Sequence, residues 1–520
     1  MPRPERTDAL DHVVVVMFEN RSFDNLLGRL YEPGEVPAFE GVIGKDLSNP
    51  IPEWAEDGAD KGSVPYGVAE NMDTPNPDPG EEYQHVNTQL FGVIDPPGNR
   101  GTLAEKMAAP YNAPTDAGAP SMDGFVADYI SAVWAETGRQ PSYEQYAQIM
   151  AGYAPEQMPV LSTLARGFAT FDHWFAEVPS QTFTNRSFFH AASSSGFVVN
   201  APYANFPTKN DAETLFERLE SAGLSWRIYV DPPGRLPFTG LIHGPRLRGR
   251  FATHFVSTDQ FLEDAEKGEL PTYSFIEPNM WHGHNDMHPP ISALFPGFAF
   301  DAPSSLLGGE TLLAKIYEAI RSSSSSEGSN CFNTLLMVVF DEHGGTYDHV
   351  PPPPAAPPDP RGPAGQMGFQ FDRLGVRLPA IAISPWIDAR TVVNDLHHHT
   401  SVIRTMRERW DLGAPLTARD ADAPDLAPLL TREEPRAPEE WPDVVPRPVP
   451  AFDETLVPRD APLTVLAKAV LHGYLALAKS LGVDVPELDE GAELKGGEAM
   501  DIVHETAGEL FPTLRQAAAG

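Results

Sequence analysis

Residues 334–345 read Thr-Leu-Leu-Met-Val-Val-Phe-Asp-Glu-His-Gly-Gly, an unbroken apolar run that ends in two carboxylates. Such a run, bounded by polar residues, predicts a strand buried on both faces of a parallel sheet. The carboxyl ends of these strands open into the crevice where ligands bind, so we expect Asp341 and Glu342 to lie at a site. Two adjacent buried acids are costly unless a cation binds them, and a divalent metal with oxygen ligands is the natural candidate. The alternative is that both acids only cap the next turn.

A second apolar run ends in the same way. Residues 12–18 read His-Val-Val-Val-Val-Met-Phe and lead directly to Glu19 and Asn20. If this strand and the one ending at Phe340 are parallel neighbours, one crevice collects four oxygen donors. Asn20 or Ser22 also has the chemistry to cap a following helix, and the two interpretations are compatible.

The remaining pattern predicts an α/β domain with a mostly parallel central sheet, helices on both faces and long loop insertions. Further strands are predicted at 224–230, 273–277 and 376–384, and helices at 187–192, 309–319, 402–410 and 462–481. We divide the chain into a catalytic domain, 1–410, and a proline-rich wrap with a helical extension, 411–520. Within the first, we expect 32–118 and 231–272 to be loop-rich insertions.

Composition limits the function. The 520 residues carry 73 acids against 37 bases, a net charge of -36, which argues against binding nucleic acid or an anionic membrane surface through the overall field. The single cysteine, Cys331, excludes an intrachain disulfide. No segment approaches the roughly 20 apolar residues of a transmembrane helix, and the first residues do not resemble a signal peptide. We therefore expect a cytoplasmic protein of unknown oligomeric state.

Thr182 is a candidate nucleophile. It lies in Ser-Gln-Thr-Phe-Thr-Asn-Arg, residues 180–186, just before the predicted helix. A helix N-terminus favours phosphate and favours an alkoxide. A threonine hydroxyl is protonated at neutral pH, so it needs a base or direct metal coordination in order to attack. The alternative is that Thr182 only caps the helix.

A rival site lies in residues 282–288, His-Gly-His-Asn-Asp-Met-His. The donors His282, His284, Asp286 and His288 recur every two residues and would share one side of an extended segment. Imidazole with carboxylate suits zinc-type ions, which gives a metallohydrolase with a water nucleophile. The run is similar to that of metallo-β-lactamase-type hydrolases, except that Met287 separates the last acid from the last histidine. A third acidic group, in residues 78–85, is predicted to be mostly solvated loop.

Five motifs, in this order, carry a family resemblance; they are residues 18–24, 182–186, 285–290, 341–352 and 399–401. With them the chain resembles the bacterial phosphoesterase family of nonspecific phospholipases C and AcpA-type acid phosphatases, relatives of the alkaline phosphatase superfamily. The resemblance implies an alkaline-phosphatase-like fold and hydrolysis of a phosphoester, either a small molecule or a phospholipid.

The resemblance also implies roles for individual residues. A divalent ion (Ca, Zn, Mg or Mn) would be held by Glu19, Asn20, Asp341, Glu342 and Thr182, with Thr182 forming a phospho-enzyme. The other catalytic residues would be His288, Arg186 and His343, of which His288 binds phosphate or protonates the leaving oxygen. The residues expected around the substrate are Asn185, His282, His284, His349, His399 and His85.

The chain departs from the family pattern in one place. Many members carry a histidine after an Asp-Pro step, whereas here Asp78-Pro79-Gly80 leads to Glu81, with His85 further on. The sequence leaves open which residue takes that role. It also leaves open monoester or diester hydrolysis, and a non-catalytic binding protein built on the same scaffold.

Overall fold

The computed structural model describes residues 4–114, 118–231, 237–280, 283–290, 305–450, 465–486 and 495–519. Its strands, in chain order, are β1 (His12–Phe18), β2 (Ser48–Pro50), β3 (Ser63–Pro65), β4 (Gly67–Val68), β5 (Ala151–Gly152), β6 (Ala169–Phe171), β7 (Trp174–Phe175), β8 (Trp226–Val230), β9 (Phe255–Ser257), β10 (Tyr273–Glu277), β11 (Thr334–Phe340), β12 (Ala380–Ile383), β13 (Thr391–Val393) and β14 (His397–His398).

The α-helices of the described residues alternate with these strands along much of the chain. They are α1 (Phe23–Leu26), α2 (Tyr83–Phe91), α3 (Phe125–Thr137), α4 (Tyr143–Tyr146), α5 (Pro159–Gly167), α6 (Thr182–Ala191), α7 (Asn205–Lys209), α8 (Leu215–Ser221), α9 (Phe238–Ile242), α10 (Gly244–Leu247), α11 (Phe251–His254), α12 (Thr258–Lys267), α13 (Ser305–Ser322), α14 (Thr400–Trp410), α15 (Ala418–Asp422), α16 (Val465–Ser480), α17 (Gly496–Leu510) and α18 (Pro512–Ala519).

The central sheet has the strand order β13-β6-β12-β11-β1-β10-β8-β9. β1 lies between β10 and β11 and runs parallel to both. β12 runs antiparallel to β11 and to β6, whereas β8 and β9 continue the parallel half. The predicted α/β fold with a mostly parallel sheet is confirmed.

The sheet is covered on both faces. In β10, Phe275 and Ile276 are adjacent and therefore point to opposite faces. The ring of Phe275 contacts Phe189 of α6, with centroids 5.9 Å apart. Ile276 pairs with Tyr229 of β8, and the Tyr229 ring contacts Phe261 of α12 at 5.2 Å. Helices α6 and α12 thus lie on opposite sides, which explains why the central strands are apolar along their whole length.

Short elements were the ones that the sequence did not predict. In the described part of 231–272, expected to be a loop-rich insertion, the structure has helices α9 to α12 and the edge strand β9. Three of these helices are only four or five residues long. One turn of helix is too short to show the apolar periodicity on which a sequence prediction depends.

The C-terminal helices pack onto the sheet domain. α16 contacts α7 and α9, and α18 contacts α11 and β9. Phe511, between α17 and α18, stacks near Phe251 and Phe255 at centroid distances of 4.7 and 5.1 Å. Among the helices that the structure describes, none combines the length and the apolar character needed to cross a membrane.

Candidate active site

Two parallel strands end side by side. The register of β1 and β11 pairs Phe18 with Phe340, so Glu19 and Asp341 leave the sheet at the same edge. The backbone N–H of Asp341 donates to the Phe18 carbonyl at 3.1 Å, and the N–H of Asn20 donates to Oδ1 of Asp341 at 3.1 Å. Glu19, Asn20, Asp341 and Glu342 are all buried. The expected meeting of the two strand ends is confirmed.

A tight backbone turn follows β11. Gly344 adopts a φ of 57°, and a Cβ at this position would lie 2.4 Å from the carbonyl oxygen of Asn20. Only glycine combines that conformation with so close an approach. Asn20 itself has a φ of 60°, in the left-handed region that asparagine tolerates better than most residues. The turn therefore presses the two strand ends together.

Helix α6 brings a cation to these acids. Arg186 is buried, and its Nη2 lies 2.9 Å from Oε1 of Glu19 while its Nε lies 3.3 Å from Oδ2 of Asp341. Thr182 is the first residue of α6, four positions before Arg186, so both lie on the same face of the helix. Thr182 is thus one helical turn from the group that bridges the two strand ends.

The turn before α6 is held by Asn185. Its Nδ2 donates to the carbonyl oxygens of Val178, Ser180 and Gln181, and its Oδ1 accepts from the N–H of Val178. Asn185 was predicted to contact substrate. The structure instead gives both ends of its carboxamide partners in the backbone of the turn that carries Thr182.

The acidic loop at 78–85 enters the site. Glu81 accepts a short hydrogen bond from Nδ2 of Asn20 and another, of 3.4 Å, from Gln181 next to Thr182. Nε2 of His288 lies 2.8 Å from the same Asn20 nitrogen. One ligand atom each from Asp78, Glu81 and His288 lies within 4.8 Å of the others. The prediction that this loop is mostly solvated was wrong, because its fold over the strand ends could not be inferred from local composition.

The surplus of buried acid dominates the electrostatics. Burial raises the pKa of Glu19, Glu81 and Glu342 well above the ordinary carboxyl value, and neighbouring carboxylates add to each rise. Burial also raises the pKa of Asp341, against the opposing effect of Arg186. The ionised forms of these groups therefore need more positive charge than Arg186 supplies.

The residues fit a divalent cation. Oδ1 of Asn20 and Oε1 of Glu342 are buried and have no hydrogen-bond partner among the residues that the structure describes. Unpartnered buried oxygens beside several carboxylates are the donor set that a hard divalent ion requires. Glu19, Asn20, Asp341 and Glu342, with the Thr182 hydroxyl, are the side chains placed to hold it.

The rival histidine cluster does not converge in the part that is described. His284 and Asp286 pair with each other, Nδ1 to Oδ1, at 2.8 Å. Met287 has a φ of 73°, which bends the segment so that its donors do not share one side. His288 turns toward Asn20 instead. His282 lies outside the described residues.

His288 has a defined orientation. Its Nδ1 lies 2.7 Å from the carbonyl oxygen of Pro289, and its backbone N–H donates to Oδ1 of Asp286 at 3.0 Å. Burial lowers the pKa of His288 to about 4, although Asp286 opposes the shift. The ring is therefore neutral at pH 7.

His343 and His85 lie at the two ends of one hydrogen-bonded chain. Nε2 of His343 contacts Oε1 of Gln89 at 2.7 Å, Nε2 of Gln89 donates to Asp128 at 2.8 Å, and Asp128 contacts Nδ1 of His85 at 2.8 Å. Nδ1 of His343 lies 3.3 Å from Glu342. Of the two predicted residues, His343 thus adjoins the acids, whereas His85 lies behind Gln89.

The remaining two histidines support the backbone around the acids. Nε2 of His399 donates to the carbonyl oxygen of Asp341 at 2.7 Å. Nδ1 of His349 contacts Asp24 at 2.6 Å. Asp24, Asp348 and His349 are close enough to hold an ion, but Arg377 already pairs with both acids, at 2.7 and 3.1 Å.

Sequence reasoning missed Asp78, Glu81 and Gln181 as parts of the site. Gln181 carried a usable signal, because it immediately precedes Thr182 in the predicted turn. Glu81 carried a weaker one, its place after the Asp-Pro step at which family members carry histidine. Here Glu81, and not His85, reaches the strand ends.

The chain is similar to several phospholipases C. Non-specific phospholipase C3 of Arabidopsis thaliana is 32% identical over 442 residues, covering 82% of this chain and 74% of the relative. Non-specific phospholipase C6 of the same plant is 33% identical, covering 84% and 75%. Phospholipase C B of Mycobacterium tuberculosis is 25% identical, covering 82% and 78%.

Solved structures with partial similarity include two hydrolase-type folds. The phosphonate monoester hydrolase of Agrobacterium radiobacter matches with a TM-score of 0.30 and 14% identity, over 55% of this chain and 74% of its own. An alkaline phosphatase superfamily protein from Vibrio parahaemolyticus matches with a TM-score of 0.29 and 13% identity, over 64% and 84%.

The model of the phosphoesterase family matches residues 10–413, which include β1, α6, β11 and every residue of the site described above. The relatives at more than 30% identity cover the same region. The chain therefore belongs to the phosphoesterase family and is a phosphoric ester hydrolase.

Proposed function

We propose that the protein hydrolyses phosphoesters with the help of a divalent cation and through a covalent phosphothreonine on Thr182. The observation that carries the proposal is the position of Thr182. It begins α6 on the face that carries Arg186, and Arg186 contacts the carboxylates at the ends of both central strands. A hydroxyl at a helix N-terminus beside a cation is suited to attack a phosphorus atom.

Binding relies on Arg186 and the start of α6. Nη1 of Arg186 is buried and has no hydrogen-bond partner among the described residues, so it is available to a phosphoryl oxygen. A guanidinium matches the geometry of phosphate oxygens. The N-terminal dipole of α6 acts in the same direction. Together they hold the phosphoryl group next to the Thr182 hydroxyl.

The reaction has two displacements. In the first, Oγ1 of Thr182 attacks phosphorus, the bond to the leaving oxygen breaks and the hydroxyl proton is lost to a base or to solvent. In the second, water attacks the phosphothreonine and releases phosphate or a phosphomonoester, with Thr182 restored. Arg186 meets the charge that develops on the phosphoryl oxygens in both steps. A divalent ion, when bound, supplies a Lewis acid that lowers the pKa of the hydroxyl and neutralises charge.

The substrate class follows from the relatives. Proteins named non-specific phospholipase C share 32–33% identity over more than four fifths of this chain. We infer that phospholipids or other phosphodiesters with small head groups are substrates of this chain. A phospholipase C cleaves between glycerol and phosphate, so the phosphothreonine would carry the phosphorylated head group.

The test uses substitutions of Thr182. We expect Thr182→Ala to lower turnover of a nitrophenyl phosphodiester at least 1000-fold, because loss of a nucleophile removes the covalent route. Thr182→Ser keeps a hydroxyl and should restore a large part of it. Thr184→Ala, two residues along the same helix, is the matched control. Activity of Thr182→Ala within tenfold of the wild type would contradict the nucleophile assignment.

A second measurement traps the intermediate. Acid quenching during turnover of a ³²P-labelled substrate should leave label on the wild-type chain and none on Thr182→Ala. A parallel series with and without chelator, followed by addition of one divalent ion at a time, should abolish and then restore turnover. Turnover that persists after complete removal of metal would refute the metal requirement.

A further inference from the structure

The site contains more negative charge than one divalent ion balances. Its buried or nearly buried carboxylates are those of Glu19, Asp78, Glu81, Asp286, Asp341 and Glu342. The arginines buried among them are Arg21 and Arg186. A phosphoester adds further negative charge. An uncompensated buried charge costs several kcal/mol, so this arrangement calls for an additional cation.

Glu81 and Glu342 locate the excess. The two side chains are in hydrogen-bond contact inside the protein. Neither carboxylate has a proton to donate when ionised, so the contact requires a proton or a metal ion between them. Oε1 of Glu342 and Oδ1 of Asn20 are buried next to this pair and have no hydrogen-bond partner in the described residues.

His288 presents a lone pair to the same place. Its Nδ1 faces the carbonyl oxygen of Pro289 at 2.7 Å, and a carbonyl only accepts, so Nδ1 carries the proton. In the neutral ring Nε2 is then the unprotonated nitrogen, and it points toward Asn20 and Glu81. A histidine whose other nitrogen is fixed by a backbone carbonyl is the usual form of a metal ligand.

We propose that Asp78, Glu81 and His288 bind a second divalent cation, of the zinc or manganese type, beside the oxygen-lined site of Glu19, Asn20, Asp341 and Glu342. One ligand atom from each of the three lies within 4.8 Å of the others. The imidazole distinguishes this site from its neighbour, because imidazole with carboxylates favours transition ions whereas oxygen ligands alone favour magnesium or calcium. Such a cation would supply positive charge near the leaving oxygen. The proposal rests on the proposed function only for that role.

The experiment measures Zn²⁺ binding to tag-free, metal-free protein in a buffer with millimolar Mg²⁺. We expect the wild type to take up one zinc equivalent, and Glu81→Gln, which has the same shape without the charge, to bind it at least 100-fold more weakly. Glu82→Gln is the matched control, since it removes the adjacent charge of a half-exposed side chain, and should bind within twofold of wild type. Equal affinity of Glu81→Gln and wild type would overturn the proposal.

X-ray absorption at the zinc edge of the wild type keeps the test independent of how the variants fold. An imidazole nitrogen at about 2.0–2.1 Å from zinc supports the second site, and a shell of oxygen alone refutes it. Failure of the proposed function is separate. If Glu81→Gln binds zinc like wild type while Thr182→Ala abolishes turnover, only the second site is wrong. If Thr182→Ala keeps its turnover, the nucleophile is wrong and the zinc measurements still decide the second site.

Discussion

At the scale of single residues, Arg186 has two roles that can be separated. It pairs with Glu19 and Asp341 inside the protein, and its Nη1 is available to substrate. We expect Arg186→Gln to lower kcat/KM about 100- to 1000-fold, the usual cost of removing a group that stabilises the transition state. It should also lower the unfolding free energy by about 3–5 kcal/mol, because two buried acids lose their cation.

Added divalent ion distinguishes the two roles of Arg186. It should restore part of the stability of Arg186→Gln, measured by urea unfolding, and little of its activity. Arg227→Gln is a suitable control, because Arg227 is 38% exposed and pairs with Asp264 at the surface, where such pairs contribute about 1 kcal/mol or less. A variant at position 186 with activity within tenfold of wild type would remove the arginine from the mechanism.

His85 gives a pH-dependent contribution to stability. Burial opposes its charge, but Asp128 outweighs burial and raises the pKa of His85 to about 9. A histidine whose pKa is raised on folding stabilises the protein fully below about pH 6.5, and this contribution disappears as the pH rises through 9. We expect wild type to exceed His85→Gln in unfolding free energy by about 1–3 kcal/mol at pH 6, and by much less at pH 10. Urea unfolding at the two values checks this, and a constant difference would contradict it.

Sequence alone predicted the acids that follow central strands and missed those that arrive on a loop. Asp341 and Glu19 could be placed because strand ends have a known position in parallel sheets. Glu81 could not, because its position depends on how residues 32–118 fold back over the sheet, which no local pattern encodes. Asn185 was identified by the right motif, but the motif did not reveal that its side chain binds backbone.

At the scale of elements, the packing of α2 against α3 controls the position of Glu81. A Cβ on Gly124 would lie 1.8 Å from the Thr88 carbonyl oxygen, and Glu81 lies two residues before α2. We expect Gly124→Ala to push the helices apart, lowering the unfolding free energy by about 1–3 kcal/mol. Phosphodiester turnover should fall as well, because Glu81 moves with α2.

A second glycine provides the comparison. Gly98 has open space at its Cβ position, so Gly98→Ala should change the unfolding free energy by no more than about 0.5 kcal/mol. Urea unfolding and turnover of both variants form the measurement. If Gly124→Ala keeps wild-type turnover in spite of reduced stability, the helix pair does not position Glu81.

Elements differed in how far they could be predicted. β1, β10 and β11 begin and end at the predicted residues, because a strand buried on both faces needs an uninterrupted apolar run. β6, β9 and β13 have three residues each and lie toward the edges of the sheet, where pairing partners rather than composition decide that a strand forms.

At the scale of the whole molecule, the net charge of -36 should discriminate between substrates. A dianionic monoester is repelled by the overall field and a zwitterionic diester is not. Raising the ionic strength from about 0.01 M to 0.1 M shortens the screening length from about 30 to 10 Å. We expect kcat/KM for nitrophenyl phosphate to rise several-fold over this range. For nitrophenyl phosphorylcholine it should change less than twofold, and an equal response of both esters would show that local cations mask the field.

The central position of β1 has a consequence for biosynthesis. β1 begins at residue 12, yet its two neighbours, β10 and β11, begin at residues 273 and 334. A ribosome adding about 5–20 residues per second exposes this Val-rich segment for on the order of ten seconds or more before either neighbour exists. The nascent chain therefore needs protection against aggregation during that interval. No hydrolytic competence arises until translation has passed Glu342.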